Sequence, residues 1–192
     1  AAGFIGTNLA IELAKNLENE ITLVDKCMDY FSYIKSLHLQ NIKIRTLDFS
    51  LDADFDELLK GQEVVYHLVS TTVPSTSNQH VPQELLSNVV FSSNLFESCV
   101  RCNIKKLIFI SSGGTVYGKK INCPLKEEIV TNPITSYGVQ KITIEKLLYL
   151  YNYMYNFNII IYIWKTYIYI YIVWMKNIYI YVLICIYISP DS

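Results

Sequence analysis

The sequence predicts an α/β fold, a doubly wound parallel sheet. Three observations carry this. Short β-like apolar runs alternate with helically spaced runs from residue 1 to about 158. A glycine pair, Gly3-Phe-Ile-Gly6, heads the first helical run, and 192 residues are enough for one domain with a sizeable core.

The elements follow in order. Ile5, Leu9, Leu13 and Leu17 form a helical stripe behind the glycines. Glu20 to Asp25 is a buried strand ending in a carboxylate, and Ile42 to Leu47 is the next. A short helix over Asp54 to Lys60 precedes a strand over Val64 to Val69. Pro82 to Arg101 has helical spacing through Leu85, Val89, Leu95 and Phe96, and leads to a strand over Lys106 to Ile110. A loop then runs to about Thr135, before a helix that carries Tyr137, Lys141, Ile144, Leu147 and Leu148. Asn158 to Ile163 can form a sixth strand.

In a Rossmann-type sheet the glycine turn follows a central strand, in the order 3-2-1-4-5-6. Nothing in the chain stands before the glycines to supply it. The expectation is therefore a truncated Rossmann-type domain over residues 1–158, with strands 2 and 4 lacking their shared neighbour. Residues 159–192 read as a low-complexity tail and not as a native domain. From Ile159 to Ile188, 12 of 30 residues are isoleucine, tyrosine alternates with it in Tyr167 to Ile172, and only Lys165 and Lys176 are charged. Alternating TAT and ATA codons would spell this text, which favours a read-through, a frameshift or a gene remnant over a selected segment. A membrane helix is the weaker reading, because the lysines divide the apolar stretch and tyrosine runs through it instead of collecting at its ends. A strand pair is a third reading.

Composition narrows the partners. A net charge of −1 gives no electrostatic case for nucleic acid, so the partner is expected to be a small molecule. Five cysteines, at 27, 99, 102, 123 and 185, are an odd, scattered set that implies no disulfide framework and hence a reducing, cytoplasmic setting. Cys99 and Cys102 have CxxC spacing but lie in a helical run with no second ligand pair, so no metal site is expected. His67 reads as a packed strand residue, and His38 and His80 as surface or packing residues. Asn88 reads equally as a buried polar residue near a cofactor or as helix surface.

The chemistry rests on spacing. Tyr137-Gly-Val-Gln-Lys141 places a phenol and an ammonium at i and i+4, on one helical face. A nearby cation favours phenolate, so Tyr137 is expected to have a lowered pKa and to act as a base. Gly3, Phe4, Ile5 and Gly6 form a phosphate cradle at a helix N-terminus, with Gly3 and Gly6 as the second and third glycines of a GxxGxxG turn. Asp25 ends a strand where a carboxylate accepts from adenosine ribose hydroxyls, favouring NAD over NADP. Asp48 and Phe49 follow the next strand and could border the adenine.

With Ser111 to Gly118 and Asn132 to Lys141 in sequence, the chain resembles the extended short-chain dehydrogenase/reductases, specifically the NAD-dependent nucleotide-sugar epimerase/dehydratase family. The resemblance covers residues 1 to about 158, and His67-Leu68 contributes to it, with Leu68 among the cofactor contacts. It implies that NAD takes hydride from a sugar carbon whose hydroxyl gives its proton to Tyr137. Lys141 holds the nicotinamide ribose, and a Ser or Thr hydroxyl assists. Gly113 stands where that hydroxyl belongs, leaving Ser112 or Thr115 as the substitute, with Ser112 preferred. The implied activity is 4-epimerisation of a UDP-hexose through a keto intermediate, in a family whose intact members can form homodimers. A sugar-nucleotide dehydratase is the alternative, but Gly114-Thr115 supply no acid after the hydroxyl site. A non-enzymatic remnant or membrane-associated product is the alternative outside enzymes. The family's C-terminal substrate region has no counterpart in the tail, so the chain itself is expected to show little or no activity.

Overall fold

The computed structural model describes residues 1–50, 53–119, 129–164 and 183–187. Helix α1 (Phe4–Ala14) leads to β1 (Glu20–Asp25), a 3-10 turn (Met28–Phe31), α2 (Ser32–Ser36), β2 (Ile42–Thr46), α3 (Phe55–Leu59) and β3 (Val64–His67). Helix α4 (Val81–Leu85) passes through a π-turn (Leu86–Val90) into α5 (Phe91–Arg101). Then come β4 (Lys106–Ser112), α6 (Ser136–Tyr155), β5 (Ile159–Trp164) and β6 (Leu183–Tyr187).

Strand order is β2-β1-β6-β3-β4-β5. The pairs β1 with β2, β3 with β4, and β4 with β5 are parallel. Alternate residues of each strand feed opposite faces, as the two-residue side-chain period requires. Val24, Val65, Leu107 and Phe109 join a core under α3, α5 and α6 that includes Phe55, Leu95, Phe96, Ile144 and Leu148. Ile21, Leu23, Val64 and Ile108 join the opposite core, with Ala10, Ala14, Phe31 and Ile34. These are the two covered faces of a doubly wound, Rossmann-type sheet. The α1 stripe differs from the expected one. Its buried line is Gly6, Ala10 and Ala14, and Ile5, Leu9 and Leu13 flank it. Small residues let the helix axis approach the sheet. Leu17 lies beyond the helix end and is exposed.

The central slot is the main correction to the expected architecture. It was expected to stand without a strand, yet β6 fills it, antiparallel to both β1 and β3. Two strands with a strand-wide gap between them present rows of unpaired N–H and C=O groups. A segment of high β-propensity that satisfies both rows removes that cost. The expected boundary at 158 falls just before β5, and both β5 and β6 come from beyond it. Residues 165–182 lie outside the described residues. Among the described residues no helix is long and apolar enough to cross a membrane.

Replacing Ile184 in β6 by proline removes a donor from a strand paired on both sides. Ile184→Pro is expected to lower stability by about 2 kcal/mol in urea unfolding. An unchanged midpoint would show that β6 does not hold the slot.

Candidate active site

The two motifs singled out by spacing meet where the N-terminus of α6 packs on the loop after β4. Glycine at 138 permits that contact. A Cβ built there would lie 2.6 Å from the Thr115 carbonyl oxygen and 2.9 Å from Pro133 Cβ. Gly118, with φ of +69°, turns the loop back, and a Cβ there would meet the Asn132 carbonyl oxygen at 2.0 Å. The Asn132 amide donates to the Val116 carbonyl at 3.0 Å, closing the turn. Thr135 caps the helix by accepting from the Gly138 amide at 3.1 Å.

Lys141 is buried beneath this contact. Its Nζ donates to the Ile110 carbonyl at 3.0 Å, and lies 4.7 Å from the Phe109 ring centre and 5.6 Å from that of Tyr137. Burial pushes its pKa down to about 8, while Glu145, one turn on, pulls it up. The expectation for Tyr137 is reversed. Burial raises the phenol to about 12. The physical reason is that Lys141 directs its ammonium at the Ile110 carbonyl, so desolvation of the phenolate outweighs attraction to the cation. His67 is also buried, and its pKa falls to about 3 through desolvation and then through the charge of Lys141. It packs among Phe91, Phe96 and Phe109, with Nε2 2.8 Å from Ser92 Oγ.

The two candidate hydroxyls form one unit. Thr115 donates to Ser112 Oγ at 2.8 Å. Ser111, buried on the preceding strand residue, donates to Glu145 Oε1. Gly114 is open, with no atom within 4 Å of a Cβ built there.

At the other candidate region, Gly3 is the N-cap of α1, in extended conformation, and no side chain caps the helix. The first turn of α1 therefore lies beside the carboxyl end of β1 without a side-chain cap, and Gly3 and Gly6 present no side chain there. This fits a dinucleotide pyrophosphate. Asp25 is buried, and its Oδ2 accepts from the Ala1 nitrogen at 2.9 Å and the Ala2 amide at 3.0 Å. Its Oδ1 accepts from the Lys26 amide at 2.8 Å. Asp25 thus braces the turn ahead of the helix. Phe4 is exposed and Ile5 packs on the core. Asp48 is exposed, Phe49 packs edge-on to Phe91 at 5.1 Å, and Leu68 is a core residue. Asn88 is buried in the π-turn. Its Oδ1 accepts from the Thr71 amide at 2.8 Å and its Nδ2 donates to Thr71 Oγ1 at 2.7 Å, which pins the loop after β3.

Neither Glu145 nor a buried group formed by Glu84, Ser136 and Gln140 stands out in the sequence. The available signal was that Ser136 and Gln140 repeat the i, i+4 spacing one residue ahead of Tyr137 and Lys141.

Residues 1–167 match the profile of the NAD dependent epimerase/dehydratase family. The chain belongs to that family. Among curated proteins it is 31% identical over 159 residues to an uncharacterized UDP-glucose epimerase, YtcB, of Bacillus subtilis, covering 78% of this chain and 49% of that protein. It is 30% identical over 161 residues to a dTDP-4-dehydro-6-deoxyglucose reductase of Escherichia coli, covering 77% and 47%. Among solved structures, a UDP-glucuronic acid 4-epimerase of Bacillus cereus, in complex with UDP-glucuronic acid and NAD, aligns with a TM-score of 0.74. It shares 29% identity over 84% of this chain and 53% of its own. A UDP-N-acetylglucosamine 4-epimerase of Methanobrevibacter ruminantium aligns with a TM-score of 0.74 at 30% identity, over 83% and 51%. The chain spans about half the length of the curated relatives it matches.

Burial of Lys141 has a sign that can be checked. Its folded pKa of about 8 lies below the ordinary 10.5, so between these values the unfolded chain binds more protons and stability rises with pH. Tyr137, raised to about 12, acts oppositely, but only above its ordinary 10. Among the described residues, Tyr137, Glu145 and His67 are the titratable groups facing Lys141. From pH 8 to pH 10 the stability of the wild type, measured against Lys141→Met, is expected to rise by about 2–3 kcal/mol. A flat difference would contradict the burial of the ammonium.

Proposed function

We propose that this chain is the cofactor-binding and proton-transfer portion of an NAD-dependent UDP-sugar 4-epimerase. The observation that carries the reading is the placement of Tyr137 and Lys141 on one face of α6, beside the Ser112–Thr115 hydroxyl pair at the carboxyl end of β4. Ligands of open α/β sheets bind along that edge.

The residues divide the work. The uncapped N-terminus of α1, with Gly3 and Gly6, would hold the pyrophosphate, and Asp25 keeps that turn in place. Phe4, Ile5 and Leu68 border this path, with Asp48 and Phe49 towards the adenine. NAD, when bound, supplies the hydride acceptor and, in its oxidised form, a positive charge that favours phenolate. Tyr137 would take the proton of the sugar 4-hydroxyl and, once the 4-keto sugar has turned over and its carbon is reduced from the other face, return that proton to the same oxygen. With its pKa at about 12, the phenol rests in its acid form until a cation draws it down. Lys141 supplies one such cation when it turns from the Ile110 carbonyl to a ribose hydroxyl. Ser112, polarised by the Thr115 hydroxyl, donates to the reacting oxygen. The absence of an acid at Gly114 and Thr115 favours epimerisation over dehydration. The substrate class is a nucleotide sugar.

Titration of the full chain with NAD tests this. Saturable binding is expected, weakened about tenfold in Lys141→Met, the equivalent of one hydrogen bond. Tyr137→Phe is expected to leave the affinity unchanged, because the phenol acts on the sugar. Absence of saturable binding, or equal affinity in Lys141→Met, would overturn the reading.

A further inference from the structure

Helix α6 carries two i, i+4 pairs, offset by one residue. Tyr137 and Lys141 face the end of β4. Ser136 and Gln140, rotated by about 100°, face α4 and are buried. What they meet there is a single oxygen. Glu84 Oε2 accepts from Ser136 Oγ at 2.5 Å and from Gln140 Nε2 at 3.0 Å, and Gln140 Nε2 also reaches Ser136 Oγ at 2.8 Å. Glu84 is itself only 7% exposed. Its position beside the first turn of α6 is where the helix dipole favours an acceptor.

The anchor is rigid on its own side. The Glu84 carbonyl accepts from Asn88 Nδ2 at 3.0 Å, and Asn88 holds Thr71. Thr72 Oγ1 donates to Gln140 Oε1 at 3.3 Å, and Asn78 Oδ1 accepts from the Ser136 amide at 2.6 Å. The first two turns of α6 are therefore gripped on one side by α4 and the loop after β3. A rotation of α6 about its axis would break both bonds to Glu84 and move Tyr137 and Lys141 together.

We propose that Glu84 is a positioning residue that sets the rotation of α6 and so the aim of Tyr137 and Lys141. The proposal rests on reading those two as the reacting pair. It assigns Glu84 no contact with substrate or cofactor. Because both bonds converge on one oxygen, an amide oxygen can replace it, whereas an apolar side chain of similar size cannot.

The test uses the full chain with 3-fluorotyrosine incorporated, and without NAD. The fluorine resonance of residue 137 is identified by its loss in Tyr137→Phe. In Glu84→Leu that resonance is expected to move by more than its linewidth, while that of Tyr149, on the exposed side of α6, stays in place. In Glu84→Gln it is expected to remain at the wild-type position. Should Glu84→Leu fail to fold, Gln140→Met removes the donor from the other side and is expected to produce the same displacement. A wild-type resonance in the apolar variant, or an equal displacement in Glu84→Gln, overturns the proposal. A chain that binds no NAD contradicts the functional reading and leaves this result standing.

Discussion

The close approach of Gly138 to the Thr115 carbonyl is the constraint on which the site depends. A helix can present Tyr137 and Lys141 on one face in any context. Only a helix without a side chain at 138 can lay its first turn against the loop that carries Ser112 and Thr115. A backbone oxygen does not give way as a flexible side chain would, so the contact fixes the loop and helix relative to each other. Gly118 and the Asn132–Val116 hydrogen bond hold the loop from its far end. Lys141 then lies under the contact, its ammonium bonded to the Ile110 carbonyl.

Much of this was legible in the sequence because it is local. The apolar runs mark β1, β2, β3, β4 and β5 to within a few residues: β1 is buried along almost its whole length, while the edge strand β2 alternates Ile42 and Ile44 with exposed Lys43 and Arg45. The four-residue spacing of Tyr137 and Lys141 is likewise a property of the helix alone. The pKa of Tyr137 was not legible. Its direction is set by how deeply the phenol is buried and by where the Lys141 ammonium points, and both are tertiary. Asp25 shows the same limit. A carboxylate ending a strand can be read, but not that the backbone nitrogens of Ala1 and Ala2 engage it. The apolar stripe of α1 was legible through Ile5, Leu9 and Leu13, which pack on the core, but not the fully buried line beside it, because a helix packed closely on a sheet selects for small residues at Gly6, Ala10 and Ala14.

The central slot shows how strongly an unfilled sheet constrains a chain. Strands β1 and β3 face one another across the width of one strand, and β6 pairs with both, against the direction of every other strand in the sheet. Hydrogen-bonding demand is satisfied by either polarity, which is why composition could suggest β-structure in the tail without giving its place. The parallel halves on each side keep the geometry that positions α1 at the carboxyl end of β1 and α6 against β4. The site is thus assembled from elements of the two parallel halves that β6 joins.

A paired glycine substitution tests the central constraint most directly. Gly138→Ala introduces a Cβ against the Thr115 carbonyl oxygen, whereas Gly114→Ala introduces one into open space on the same loop. Urea-unfolding stability and NAD affinity, measured for both variants, should fall together in Gly138→Ala, with a stability loss of about 1–3 kcal/mol, and stay at wild-type values in Gly114→Ala. Wild-type stability and affinity in Gly138→Ala would contradict the account, because the helix and the loop would then meet without the close approach on which the site is built.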